Sequence, residues 1–239
     1  MECINKFNKL TSFIIEDILS YDFPKDRARI IEAWLRVAEY LKIRKDHNDC
    51  VAIYSALKHY IISGLKLTMK ELKSKQTKAL FKELGEYCTF EGNYKNLREE
   101  FINCVENNEF YVPYLGMLLR DLSFFEGNSE YLKNGDLINI EKIEKIQITI
   151  DNFFKFTNIT DVLNKNSNYP PELDIFNNLE FIKEDDLDIL ANKLEPKFMI
   201  GDMPKKRKRL TIVDKKYFSG KFNSVISIKC DDISRNTVI

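Results

Sequence analysis

The side chains that most often carry chemistry are scarce in this chain. Two histidines, His47 and His59, are too few for a His-rich metal centre or an imidazole relay. Five cysteines, at positions 3, 50, 88, 104 and 230, form no CxxC pair, which argues against a zinc ribbon or a dithiol redox motif. Their odd number, and an N-terminus (MECINKFNKL) without an apolar core, predict reduced thiols in a cytosolic compartment and no export signal. The sequon at Asn158 then has no meaning. No metal site and no cofactor is expected. One chemical feature stands out: Lys205, Lys206, Arg207, Lys208 and Arg209 are consecutive cations within MPKKRKRL. Such a run reads as a nuclear import signal, as a patch attracted to anionic lipid at about 1 kcal/mol per cation, or as plain solvated surface.

The charge totals belong to two different segments. The 239 residues hold 37 Lys+Arg and 37 Asp+Glu, a balance that argues against a surface devoted to nucleic acid. Residues 198–239 hold ten basic and four acidic residues, so residues 1–197 carry 27 and 33. A helical body over 1–197 and a basic tail over 198–239 follow. The tail's short runs at 210–213 and 223–229 suit either a β-hairpin or a segment disordered until bound.

With 8 Gly and 6 Pro in the whole chain there are few helix breakers, and the body reads as all-α. Residues 26–43 set Ile30, Trp34, Val37, Ala38 and Leu41 on one stripe, opened by Pro24 or Asp26. Residues 48–62 are apolar nearly all round, which predicts a single buried helix capped by Asn48. Helices are further predicted over 76–88, 93–107, 111–125 with Pro113 in its first turn, 138–156 and 183–194. Gly127 and Asn128 close the segment 111–125, and Glu141 with Lys145 forms a favourable i, i+4 pair on 138–156. These two helices read as a long hairpin joined by a polar turn, and the Pro170-Pro171 region as a loop. No apolar run approaches the roughly 18 residues of a membrane span.

In this order the segments resemble the catalytic domain of Ras-type guanine-nucleotide exchange factors, the Sos-like family. FNKLTSFIIEDIL (7–19) is similar to the family's FN-x-LS-x-W-V stretch, and RARIIEAWLRVAEYLK (27–42) and HNDCVAIYSAL (47–57) follow. The most specific match is VPYLGMLLRDLSFFEGN (112–128), which resembles IPFLG-x-x-L-x-DL-x-F-x-E-E-GN. LINIEK (137–142) matches INF-x-K, and LDILANKLEPK (187–197) resembles the closing L-x-x-L-S-x-x-I-EPR. The match begins close to Met1, without the family's upstream helices or its separate N-terminal domain, which braces the hairpin in relatives.

The resemblance implies an all-α domain with a protruding helical hairpin that binds a Ras-subfamily GTPase and ejects its nucleotide. The hairpin wedges against switch 1, a pocket holds switch 2, and the factor makes and breaks no bonds itself. Carried over residue by residue, the wedge tip falls on Ser123, Phe124 and Glu126, the last placed to compete with phosphate for the GTPase's cationic groups. Asn93 and Tyr94, in the N-[FY]-x-x-x-R pattern, are expected to contact the GTPase, as are Tyr114, Thr68, Arg120 and Lys58. Asp121 is a family feature expected to make an internal salt bridge or cap. Four positions depart from the pattern. Lys58 replaces an Asn, Gly64 replaces an Arg, Met69 replaces an aromatic residue, and one acidic residue precedes Gly127 where the family has two. These departures support an alternative, a catalytically degenerate fold that binds a GTPase as a scaffold. The expected placement is cytoplasmic, with the membrane periphery or the nucleus as readings of the tail, and no nucleic-acid partner.

Overall fold

The structure, a computed structural model, describes residues 2–129, 131–132, 137–155 and 181–196. The readings of the Pro170-Pro171 loop and of the basic tail lie outside these residues. The described part is all-α apart from one short antiparallel ladder. In chain order it runs α1 (Glu2–Leu19), α2 (Pro24–Ile43), α3 (His47–Lys58), α4 (Tyr60–Ser63), α5 (Lys66–Glu71), α6 (Lys75–Cys88) and α7 (Glu91–Glu106). Then come α8 (Leu115–Glu126), β1 (Tyr131–Leu132), β2 (Leu137–Ile138), α9 (Ile140–Phe154) and α10 (Glu184–Leu194). None of the helices among the described residues is long and apolar enough to cross a membrane.

Helix α3 is the centre of the core, with α1 and α2 packed against it and α6 closing one side. Its Cys50, Val51, Ala52, Ile53, Ala56 and Leu57 are all buried, as the apolar run requires. From α1 come Phe13, Ile14, Ile15, Ile18 and Leu19. The apolar run does not continue as one helix. At His59 (φ −53°, ψ 143°) the chain bends, and α4 restarts so that Ile61 and Ile62 both reach the core. The cap of α3 is Asp46, whose Oδ1 accepts from the Asp49 N–H at 3.0 Å. Asn48 instead lies inside the first turn and donates to Asp49 at 3.0 Å.

Helix α2 is rotated from its predicted stripe. Arg27, Ala28, Ile31, Leu35 and Ala38 are its buried residues, while Ile30, Trp34 and Leu41 pack at the flanks. Val37 is 41% exposed. The rotation follows from placing the charged Arg27 inside, where it has partners described below. Trp34 sits at the edge of the core, its indole N–H donating to Asp17 at 2.8 Å. Pro24 opens the helix, in the first-turn position where no N–H is needed.

The predicted helix over 111–125 starts later. Val112 is held extended by His47 N–H to Val112 C=O and Val112 N–H to Lys45 C=O, both at 2.9 Å. Pro113 therefore precedes α8 and does not lie in its first turn. Helices α8 and α9 form the expected hairpin, with a ladder pairing Tyr131 with Ile138 and Leu132 with Leu137 near its turn.

Candidate functional site

At a kink in the first turn of α7 the chain passes through three consecutive left-handed residues: Gly92 (φ 60°, ψ 25°), Asn93 (φ 59°, ψ 48°) and Tyr94 (φ 59°, ψ 39°). Glycine adopts this conformation freely and asparagine tolerates it, but a tyrosine is strained by roughly 1–2 kcal/mol. Local hydrogen bonds hold the turn. The Asn93 N–H donates to the Phe90 carbonyl at 3.0 Å, and Arg98 Nε donates to the Asn93 carbonyl at 2.8 Å. The two terminal nitrogens of Arg98 fork onto both carboxylate oxygens of Asp121 on α8, at 2.8 and 2.7 Å. The R of the N-[FY]-x-x-x-R pattern thus shapes the turn that presents its N and its aromatic residue, and Asp121 makes the expected internal salt bridge.

The turn sets Tyr94, half-buried, edge-on to Phe90 and to Tyr114, with ring centroids 5.3 and 5.5 Å apart. Tyr114 also touches Phe7 on α1 at 5.9 Å. Its ring lies against Gly116 in the first turn of α8. A Cβ at Gly116 would come within 2.4 Å of that ring, so the ring keeps this position only beside a glycine. Burial, then the neighbouring Tyr94 phenol, pushes the Tyr114 hydroxyl up to about 12. Arg120, exposed on α8, holds its guanidinium 4.1 Å from the centroid of the Phe90 ring, a cation–π contact. Asn93, Tyr94, Tyr114 and Arg120, far apart in sequence, are therefore brought to one surface.

The hairpin leaves this surface along α8. At its far end Ser123, Phe124 and Glu126 are all exposed, Phe124 at 68%. The Glu126 carboxylate has no partner among the described residues. Gly127 ends the helix in the right-handed region (φ −66°, ψ −14°) and not as a left-handed cap. Across the turn, Lys142 Nζ donates to the Asn128 carbonyl at 2.8 Å and Asn139 Nδ2 to the Ser129 carbonyl at 2.9 Å. Asn139 also caps α9, accepting from the Lys142 N–H at 3.1 Å, and the Glu141–Lys145 pair forms at 2.6 Å. Helix α9 buries none of its residues fully; Ile143 and Ile148 are more than half exposed. Its base is tied to the body by the Tyr111 hydroxyl donating to the Asn152 carbonyl and by Lys155 Nζ donating to the Val105 carbonyl at 2.9 Å.

A model of the RasGEF domain matches residues 1–144, well over half of the chain. The chain belongs to the RasGEF domain family. Among curated proteins, it is 33% identical over 197 residues to the Ras-specific guanine nucleotide-releasing factor 2 of Mus musculus, covering 82% of this chain and 16% of that protein. It is 36% identical over 154 residues to the cyclic GMP-binding protein D of Dictyostelium discoideum, covering 64% of this chain and 12% of that protein. It is 35% identical over 157 residues to the Ras guanine nucleotide exchange factor J of the same organism, covering 65% and 19%. The chain thus spans less than a fifth of the length of these relatives.

Within this RasGEF domain, two expected contact residues have distinct settings. Thr68 is fully buried and does not reach the surface. Its hydroxyl donates to Glu195 at 2.6 Å and accepts from Arg27 Nε at 2.9 Å. Glu195 also takes Arg27 Nη2 at 2.8 Å and the N–H groups of Leu67 and Thr68 at 2.6 and 2.9 Å. Burial pushes the Glu195 carboxyl up, but these donors outweigh it and hold it below the usual range. The closing EP of the sequence motif is therefore a buried tie joining the end of α10 to α2 and α5. Lys58, by contrast, is exposed, with its ammonium 5.7 Å from the Phe81 ring centroid. Gly64 fits a tight bend, since a Cβ there would approach the Tyr60 carbonyl to 2.9 Å. His47 is buried against the Tyr87 hydroxyl at 2.6 Å and His59 faces Glu184 at 3.5 Å, both structural settings. No cluster of three His, Cys, Asp or Glu able to hold a metal occurs among the described residues.

Proposed function

We propose that this RasGEF domain promotes GDP release from a Ras-family small GTPase. The observation that carries the proposal is the family match over residues 1–144. An aromatic surface at Tyr94 and Tyr114 adjoining a hairpin whose tip residues Phe124 and Glu126 face solvent supports it. In this reading Asn93, Tyr94, Tyr114 and Arg120 hold switch 2, and Ser123, Phe124 and Glu126 work against switch 1. The unpartnered Glu126 carboxylate competes there with nucleotide phosphate for the GTPase's cations. The domain performs no bond chemistry. It lowers the barrier to nucleotide loss by binding the nucleotide-free GTPase more tightly than the loaded one, since only differential affinity shifts such an equilibrium.

Titrating the protein with nucleotide-free and GDP-loaded Ras, Rap and Ral tests this. At least about a hundredfold preference for one nucleotide-free partner is expected; equal affinity for both forms across the panel refutes it. A second reading, a GTPase-binding scaffold without exchange activity, is favoured by Lys58, which only donates where the family's amide both donates and accepts. Binding to nucleotide-free GTPase without faster release selects that reading. For the basic run Lys205–Arg209 we propose attraction to anionic lipid and a cytoplasmic, peripheral membrane placement. Salt-sensitive co-sedimentation with phosphatidylserine vesicles, lost on deleting 203–210, is the expected result.

A further inference from the structure

We propose that Arg98 is a positioning residue that locks the Tyr94 turn to the first hairpin arm, so that the domain's two partner-facing surfaces move as one body. The functional part of this inference rests on the exchange reading above. Four observations carry it. First, the left-handed residues Asn93 and Tyr94 need external support, and Arg98 gives it by donating to the Asn93 carbonyl at 2.8 Å. Second, the same guanidinium spans to α8 with a two-pronged grip on Asp121. One planar group thus holds a strained backbone on one side and the hairpin on the other. Third, the neighbouring Arg120 lies over Phe90, so consecutive residues of α8 grip both ends of the segment 90–98. Fourth, apart from the ties at the base of α9, the hairpin is lightly packed among the described residues. Only Met117 and Leu118 of α8 are buried, and α9 has no fully buried residue.

The chemistry demands arginine. A lysine is a point charge on a flexible stem and cannot hold a carbonyl and both oxygens of a carboxylate in one plane. When a GTPase presses on Tyr94, the load therefore passes through Arg98 and Asp121 into α8. Phe124 and Glu126, at the far end of that helix, then stand in a defined relation to whatever Tyr94 holds.

The test compares Arg98→Lys, Asp121→Asn, Asp121→Glu and the double variant Arg98→Lys/Asp121→Asn with the parent protein. Hydrogen exchange on the free protein is expected to speed up about tenfold in 90–98 and 115–126 together for the Lys and Asn variants, with α1–α3 unchanged. Asp121→Glu, which keeps a carboxylate, is expected to retain most of the protection. With Ras carrying a fluorescent GDP analogue, the maximal release rate is expected to fall about tenfold in the Lys and Asn variants. The Ras concentration giving half that rate is expected to stay within about threefold. The double variant is expected to be no slower than either single one, because both remove the same link. Additive losses, or faster hydrogen exchange confined to one of the two segments, would overturn the proposal. If the parent releases no nucleotide from any GTPase, the exchange reading fails, while hydrogen exchange still decides whether Arg98 joins the two segments.

Discussion

The buried tie at Glu195 carries a large share of the fold's stability. Arg27 is 0% exposed and the Glu195 side chain 5% exposed, so both charges depend on each other and on their hydrogen bonds. Replacing Glu195 by Ala leaves Arg27 with Thr68 Oγ1 and the Tyr21 and Asp22 carbonyls but with no counter-charge. It also strands the Leu67 and Thr68 N–H groups. Breaking one side of a buried pair costs about 3–5 kcal/mol. Against a total of about 5–15 kcal/mol, that is a large fraction of the fold's stability. For a domain of this size the melting temperature should drop by about 10 °C or more. Thr68→Val removes one hydroxyl and leaves the charge pair, so it should cost less, about 1–3 kcal/mol. Urea titration followed by circular dichroism at pH 7 measures both. Because the folded Glu195 carboxyl lies below its ordinary value, its contribution is present above about pH 4.5 and fades as pH falls through the lowered value. A loss under about 1 kcal/mol for Glu195→Ala would mean that the buried tie does not hold the fold.

Three further outcomes are expected. Gly116→Ala forces the Tyr114 ring off α8, since the new methyl would lie 2.4 Å from it, and should impair GTPase binding while the thermal midpoint shifts by only a few degrees. Asp46 is pushed up to about 6, mainly by burial and then by the Asp49 charge, so the folded state keeps that proton more tightly and gains stability as pH falls through 6. His47 is pushed down to about 4, mainly by burial, so it loses stability over the same acidification. Asp46→Asn keeps a capping side chain and removes only the first effect, so urea midpoints should fall more steeply from pH 6.5 to 4 than in the parent; a shallower fall contradicts this. Tyr111→Phe removes the donor to the Asn152 carbonyl and should loosen the base of α9, seen as faster hydrogen exchange in 140–154 with α1–α3 unaffected.

The helices were legible because their apolar spacing is strong, and α6, α9 and α10 begin and end close to where the pattern places them. What the pattern hides is non-local. Nothing in the residues around His59 marks a bend; the bend arises because Ile61 and Ile62 both fit the core only if the helix restarts. Val112 and Pro113 carry apolar and helix-start signals, but pairing with the 45–47 segment holds Val112 extended in a single bridge. The stripe on α2 missed by one step because a charged Arg27 belongs in the core only once Glu195, 168 residues away, is known to face it. Thr68 looked available for a partner for the same reason. In the site, Tyr94 and Tyr114 could be chosen by family pattern, but their contact, the left-handed turn and the Arg98 fork required three dimensions. Of that turn, Gly92 and Asn93 show in the sequence as residues suited to positive φ, and Tyr94 does not.

The rate of fluorescent-GDP loss from Ras-family GTPases reads exchange activity itself. Ras, Rap and Ral should each be measured with excess unlabelled nucleotide, with and without micromolar amounts of this protein. Release from at least one of them is expected to accelerate by a factor of ten or more, on the order of 1.4 kcal/mol off the barrier. Tyr94→Ala is expected to abolish the acceleration while the protein remains folded. Unchanged release rates across the whole panel would contradict the exchange reading.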